Sequence, residues 1–382
     1  MNAAVYFDHN ATTALDARVL EAMLPFLRQP QGNPTSRHSF GRQARSAVEN
    51  AREQVASAVG AHPSQVTFTS GGTEADNLAI CGITSTMPPS TVAVSAIEHP
   101  AVFRPAQALF GRGWQSARIP VTGAGQVSTD ALRNLLRQKT GLVSVMTANN
   151  ETGVIQDIAA ISEIARSHGA LMHTDAVQAL GKMKLDFNAL GVNAMSISAH
   201  KIRGPQGAGA LILDKRVDIQ PLLRGGGQEK GLRSGTENVA AIVGFGLACD
   251  HATRELTEHT RRMTQLRDRL EAGLHRLGAT IFGSEAPRVP NTSFFAFPNL
   301  EGETLVMAMD KQGYAIASGS ACSSDSTEPS HVLLAMGIAP DFARGAVRAS
   351  LGAGNDEAQI DGFLRALENE LNRLKQLTAV AV

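Results

Sequence analysis

The chain has 382 residues, 43% of them apolar and 18% charged, enough to bury at least one full hydrophobic core and room for two. Its 35 Lys and Arg balance 35 Asp and Glu, which removes the electrostatic reason to expect nucleic acid or an anionic membrane surface as the main partner. Three cysteines, Cys81, Cys249 and Cys322, have spacings that suit neither a metal knuckle nor a disulfide framework, so any that matters acts as a thiol.

The N-terminal run to Asp16 lacks a basic start followed by an apolar stretch, so no secretory leader is read there and a cytoplasmic location is expected. Uncharged stretches such as 78–97 are broken by Gly82 and Pro88-Pro89, which excludes a membrane span. Short runs rich in Val, Ile, Thr and Ala at 66–69, 91–96, 142–147, 170–174, 194–198 and 208–213 predict strands. They alternate with helical patterns at 42–59, 74–83, 129–138 and 158–167. That order predicts an α/β fold: a doubly wound, mostly parallel sheet with helices on both faces.

After about residue 250 the pattern changes. Leu256, Met263, Leu266, Leu270, Leu274 and Leu277 form one apolar stripe on a long helix. Strands at 292–297 and 347–351 bracket a helix at 303–312, and Ile360, Leu364, Leu367, Leu371 and Leu374 mark a last helix. The expected organisation is a large domain over 16–250 and a smaller α+β domain over 251–382, with residues 1–15 packing on the smaller one.

Residues able to do chemistry cluster at predicted strand ends. Lys201 follows the strand at 194–198, where open α/β sheets bind ligands; it reads either as a surface lysine or as an amine desolvated enough to form a Schiff base. Asp175 ends the strand at 170–174 and reads as a helix cap or as the carboxylate that pyridoxal phosphate needs against its ring nitrogen. Ser70-Gly71-Gly72-Thr73-Glu74 joins a strand to a helix, with two glycines allowing close backbone approach and Thr73 adding a donor: a phosphate cradle or a capped turn. It is neither a Walker loop nor a dinucleotide fingerprint. His99 can stack on a flat ring or be structural, and Asn150 can donate to a phenolic oxygen or shape a turn.

Cys322 lies in a stretch of Gly, Ser and Asp almost devoid of large apolar residues, a setting that suits a reactive thiol, whereas Cys81 and Cys249 read as filler. Arg348 interrupts an apolar strand and needs an anionic partner, either a substrate carboxylate or a structural ion pair.

In order along nearly the whole chain, these segments resemble the cysteine desulfurases, fold-type I pyridoxal-phosphate enzymes of the branch that supplies sulfur for iron–sulfur clusters and nitrogenase maturation. The resemblance is carried by Phe7-Asp8-His9-Asn10-Ala11-Thr12-Thr13, Gly32-Asn33-Pro34-Thr35-Ser36, Ser70-Gly71-Gly72-Thr73-Glu74, Glu98-His99, Asn149-Asn150-Glu151-Thr152-Gly153, His173-Thr174-Asp175-Ala176-Val177-Gln178 and Ser198-Ala199-His200-Lys201, then Gly225-Gly226-Gly227-Gln228-Glu229, Arg233-Ser234-Gly235-Thr236, the Cys322 loop and Arg348.

The resemblance implies that Lys201 is the Schiff-base lysine, Asp175 the ring-nitrogen partner, and Gln178 and Asn150 neighbours of the phenolic oxygen. His99 would lie over the ring. Thr73, Gly72, Ser198 and His200 would hold the phosphate, with Thr236 reaching the neighbouring subunit of a homodimer. Arg348 and Asn33 would clamp the carboxylate of L-cysteine, and Cys322 would carry the sulfur as a persulfide to an acceptor protein. No metal is implied. Arg203 and Gln206 depart from the family pattern, and the chain stops soon after Leu377, where housekeeping members continue into a tail that docks the scaffold; this leaves the acceptor open. A selenocysteine lyase, another class V aminotransferase and a non-catalytic sulfur-relay scaffold are the competing readings.

Overall fold

The computed structural model describes residues 4–28, 32–319 and 328–380. In chain order its strands are β1 Val5–Tyr6, β2 Val66–Thr69, β3 Thr91–Ser95, β4 Gln115–Ile119, β5 Thr140–Ser144, β6 Leu171–Asp175, β7 Ala194–Ser198, β8 Gly209–Leu213, β9 Thr280–Ile281, β10 Thr292–Ala296, β11 Tyr314–Ala315, β12 Ala317–Ser318 and β13 Val347–Ser350. Seven of them form one sheet in the order β2-β8-β7-β6-β5-β3-β4, in which only β8 runs antiparallel to its neighbours. This is the doubly wound α/β architecture expected.

Successive strand residues point to opposite faces, and both faces are covered. On β3, Ala93 joins one apolar cluster while Val92 and Val94 join another; Val143 and Leu142 of β5 divide in the same way. The first cluster also takes Val48, Val55 and Phe245, from helices Ser39–Ala58 and Val239–Arg254 that pack side by side. Gly246 makes that approach possible, because a Cβ there would lie 2.7 Å from Ala51 Cα.

A four-stranded sheet, β12-β13-β10-β9, has its own core. Met263, Leu266, Leu270 and Leu274 from helix Leu256–Arg276 meet Ile360, Phe363, Leu367 and Leu371 from helix Glu357–Val380 over it. Leu256 lies outside this cluster. β1 pairs in parallel with β11 and Phe7 is fully buried in the same core, whereas Val19 and Met23 of helix Ala17–Arg28 pack into the large sheet's core. Between those two anchors, residues 8–13 cross from one core to the other beside the ends of β6 and β7. No helix among the described residues is long and apolar enough to cross a membrane.

Candidate active site

The carboxyl ends of β2, β3, β5, β6 and β7 all deliver polar side chains, as expected for the ligand-binding edge of an open α/β sheet. β7 leads into a single tight turn, Ala199–Lys201, that ends on the candidate lysine. Lys201 Nζ donates to the carbonyls of Asn10 and Ala11, both at 2.7 Å, so the amine is tied to the crossing N-terminal segment. His200 Nδ1 meets Thr12 Oγ1 at 3.1 Å, and Thr13 Oγ1 donates to the His200 carbonyl at 2.7 Å.

Asp175 closes β6 and is fully enclosed. Burial pushes its carboxyl up to about 6, against the opposing pull of the Val177 N–H, which donates to it at 2.9 Å, and of the nearby Lys201. Turns, not a helix, follow Asp175, so the cap reading fails. The carboxylate is desolvated and would be stabilised by a cationic N–H placed against it.

Beyond β2, Gly72 opens a helix that passes into a π-turn at Leu78–Gly82. A Cβ on Gly72 would lie 2.7 Å from Val177 Cγ2 and 3.6 Å from Ser198 Cβ, so only glycine leaves this floor open. Gly71, Gly72, Thr73, Ser198, His200 and Gln206 line a cavity of about 340 Å³. Ser198 Oγ is buried there without a hydrogen-bond partner among the described residues, and the first-turn N–H groups of the helix face no intrahelical acceptor. An orphan hydroxyl, helix-start N–H groups and a threonine in one concavity suit a phosphate. Together with Lys201 and Asp175 they fit pyridoxal phosphate.

His99 caps helix Pro100–Ala108, its Nδ1 accepting the Ala101 N–H at 3.1 Å. Burial, reinforced by the charges of Lys201 and His331, lowers its pKa to about 4, so the ring is neutral with its proton on Nε2. The structural reading of His99 is present as a helix cap, and the ring also senses the charge of Lys201. His200 is held near 4 by burial and Lys201 in the same way.

Gln178 Nε2 donates to the Asn10 carbonyl at 3.0 Å, and Asn150 lends its own carbonyl to Asn10 Nδ2 and Arg348. Arg348, on β13, is buried, donating to Asp8 at 2.6 Å and to Asn150 O at 2.9 Å, while its Nε has no partner among the described residues. The structural ion pair is thus present, and one donor of the fork is left over.

Two predicted residues lie apart. Asn33 is exposed and organises its own turn, its Oδ1 accepting from Thr35 N–H and hydroxyl. Thr236 is exposed on the loop before helix Val239–Arg254 and lines neither the phosphate cradle nor the cavity of about 760 Å³ whose wall includes Lys201. Cys322 lies outside the described residues. Cys249 is buried and half-buried Cys81 sits in the π-turn; burial raises both thiols, as befits filler.

Sequence reasoning missed Asn10, which is buried and joins Gln178, Asn150, Asn291 and Thr292, and Lys182, which is buried against it. It also gave no role to Glu98 beside His99: burial raises that carboxyl to about 8, while Ser95 and the Met146 N–H donate to it. A polar run Asp8-His9-Asn10 directly after the buried Phe7 was the available signal.

Residues 5–363 match the Aminotransferase class-V family. The chain belongs to that family. Along 99% of its length it is 41% identical to the "Cysteine desulfurase IscS" of Dictyoglomus turgidum, covering 97% of that protein, and it is 40% identical to the "Cysteine desulfurase NifS" of Azotobacter vinelandii over 98% and 94%. A solved "NIFS-LIKE PROTEIN" superposes with a TM-score of 0.91 at 40% identity, covering 97% of this chain and 99% of that one. Class-V aminotransferases of the cysteine desulfurase group are pyridoxal-phosphate dependent, in keeping with the lysine, carboxylate and cradle described above.

Proposed function

We propose that this chain is a pyridoxal-phosphate-dependent cysteine desulfurase, acting as a cytoplasmic homodimer that converts L-cysteine to L-alanine and hands the sulfur to an acceptor protein. The observation that carries the reading is the Lys201 amine and the desolvated Asp175 carboxylate at neighbouring strand ends, in a chain similar over its whole length to proteins named cysteine desulfurase. Iron–sulfur cluster assembly and tRNA thiolation are the acceptor routes this chemistry serves.

When bound, the cofactor supplies an electron-withdrawing ring that acidifies the Cα of an amino-acid substrate. Asp175 keeps the ring nitrogen protonated, because its buried carboxylate is most stable beside a cation. Thr73, Gly72, Ser198 and His200 would hold the cofactor's phosphate, and Thr236 would reach the phosphate of a second subunit. Gln178 and Asn150 would lie near its phenolic oxygen. Lys201 would be the covalent anchor and then the base for the Cα proton, with neutral His99 able to pass a proton from Nε2.

Arg348 offers its remaining donor to the substrate carboxylate, and Asn33 would have to approach from its exposed turn to share that task. The Cys322 thiolate attacks the substrate sulfur. The Cβ–S bond breaks, an S–S bond forms and Cβ takes a proton, so L-cysteine and the enzyme thiol become L-alanine and an enzyme persulfide. The carbon is reduced and the sulfur oxidised by the same electron pair.

Protein reconstituted with pyridoxal phosphate is expected to show a visible band that Lys201→Ala abolishes, and to release alanine from L-cysteine at least about 10³-fold faster than that variant. A keto acid as product would indicate an aminotransferase. Activity confined to L-selenocysteine would indicate a lyase. Full activity in Lys201→Ala would remove the reading altogether.

A further inference from the structure

Lys182 sits in the turns after β6, buried in the wall of the cavity beside Lys201, and the reading above gives it no task. Its Nζ donates to Gln178 Oε1 at 2.6 Å and to Asn10 Oδ1 at 2.7 Å. Both acceptors are neutral amide oxygens, so no carboxylate in these bonds offsets the cost of burying the amine. The charged and titratable neighbours that sense it are Lys201, Arg348, His9 and His259, none of them acidic. Burial, then the charges of Lys201 and Arg348, lowers its pKa well below that of an ordinary lysine. An apolar side chain of the same length would fill this space at less cost, so the donors are what the position supplies.

What those donors fix is orientation. Lys182 Nζ is the donor in both bonds, so each amide turns its oxygen toward Lys182 and its NH2 away. For Gln178 this aims Nε2 at the Asn10 carbonyl, the same carbonyl that accepts from Lys201 at 2.7 Å. For Asn10 it aims Nδ2 at the Asn150 carbonyl and Thr292 Oγ1, while Asn291 donates a second bond to Asn10 Oδ1 at 3.1 Å. Without Lys182, Gln178 Oε1 loses this donor, and the Asn10 carbonyl alone is left to hold the orientation of the amide.

We propose that Lys182 is a positioning residue of the cofactor site, whose buried amine locks the Gln178 and Asn10 amides so that the Gln178 NH2 is presented as a donor beside Lys201. The proposal rests on the assignment of Lys201 as the cofactor's anchor. A donor on the cofactor's phenolic oxygen lowers the affinity of that oxygen and of the attached lysine nitrogen for their shared proton. Removing the donor raises it, and so does removing any positive charge that Lys182 carries.

The test is a pH titration of the visible band in protein reconstituted with pyridoxal phosphate, comparing wild type with Lys182→Met, whose side chain keeps the length and loses the donors. The midpoint is expected to rise by about one pH unit, a tenfold change in proton affinity. In a Gln178→Ala background the same substitution is expected to give less than about half that shift, because the amide it orients is gone. A folded Lys182→Met protein titrating with the wild-type midpoint, or an undiminished shift in the Gln178→Ala background, would overturn the proposal and leave the Lys201 assignment standing. A wild-type protein with no visible band would overturn both. If Lys182→Met does not fold, Lys182→Gln takes its place: its shorter amide cannot donate to both oxygens, and the same rise is expected of it.

Discussion

Asp175 shows how a single residue is tuned for a partner. Burial pushes its carboxyl up to about 6 in the folded chain against 3.8 for the free group, so the ionised form costs folding stability. Because the folded value is the higher one, this group favours folding below about pH 4 and loses that contribution as pH rises through 6. Cofactor-free Asp175→Asn is therefore expected to resist urea better than the cofactor-free parent at pH 8, and no better at pH 4, while activity of the reconstituted variant falls by about 10² or more. Equal unfolding midpoints at pH 8 would contradict the desolvation account. Lys182 belongs to the same scale: one buried amine decides which way two amides face.

At the scale of elements, the loop that carries Thr236 is tied down by one acidic side chain. Glu229, at positive φ, receives both terminal nitrogens of buried Arg52 at 2.7 and 2.8 Å and the Phe68 N–H of β2 at 2.8 Å. Replacing it by Ala leaves the Arg52 guanidinium, which also stacks over Phe68, buried without this partner. The expected cost is about 3–5 kcal/mol in urea unfolding. A change under about 1 kcal/mol would show that the ion pair does not anchor the loop.

The same scale explains what was legible in the sequence. Strands buried on both faces read as short apolar runs, and β2 and β7 fall where those runs lie. Edge strand β4 escaped because Gln115, Ser116 and Arg118 face solvent and break the apolar pattern. Helix Val239–Arg254 escaped because it is apolar nearly all round, with glycines at 244 and 246, and so shows no stripe. Strand-end residues such as Lys201 and Asp175 were readable because position and chemistry coincide in a few contiguous residues. Asn10 and Lys182 were not, since they meet across 172 positions and only the folded chain brings them together.

For the whole molecule, the site lies where the two cores and the N-terminal crossing segment meet, with Arg348 and Asn291 supplied from one side and Lys201 and Asp175 from the other. Thr236 stands apart from this site in its own chain, so its proposed phosphate contact requires a second subunit. Sedimentation is expected to give a dimer, and Thr236→Ala about tenfold weaker cofactor retention in equilibrium dialysis. A monomer with full retention would place the phosphate contact elsewhere.

The most direct measurement is mass mapping of the reconstituted protein after one exposure to L-cysteine without reductant. The account predicts one extra sulfur on the peptide containing Cys322, with alanine released in step, and neither in Cys322→Ala. Extra sulfur on Cys81 or Cys249 instead, or undiminished sulfur release by Cys322→Ala, would contradict it.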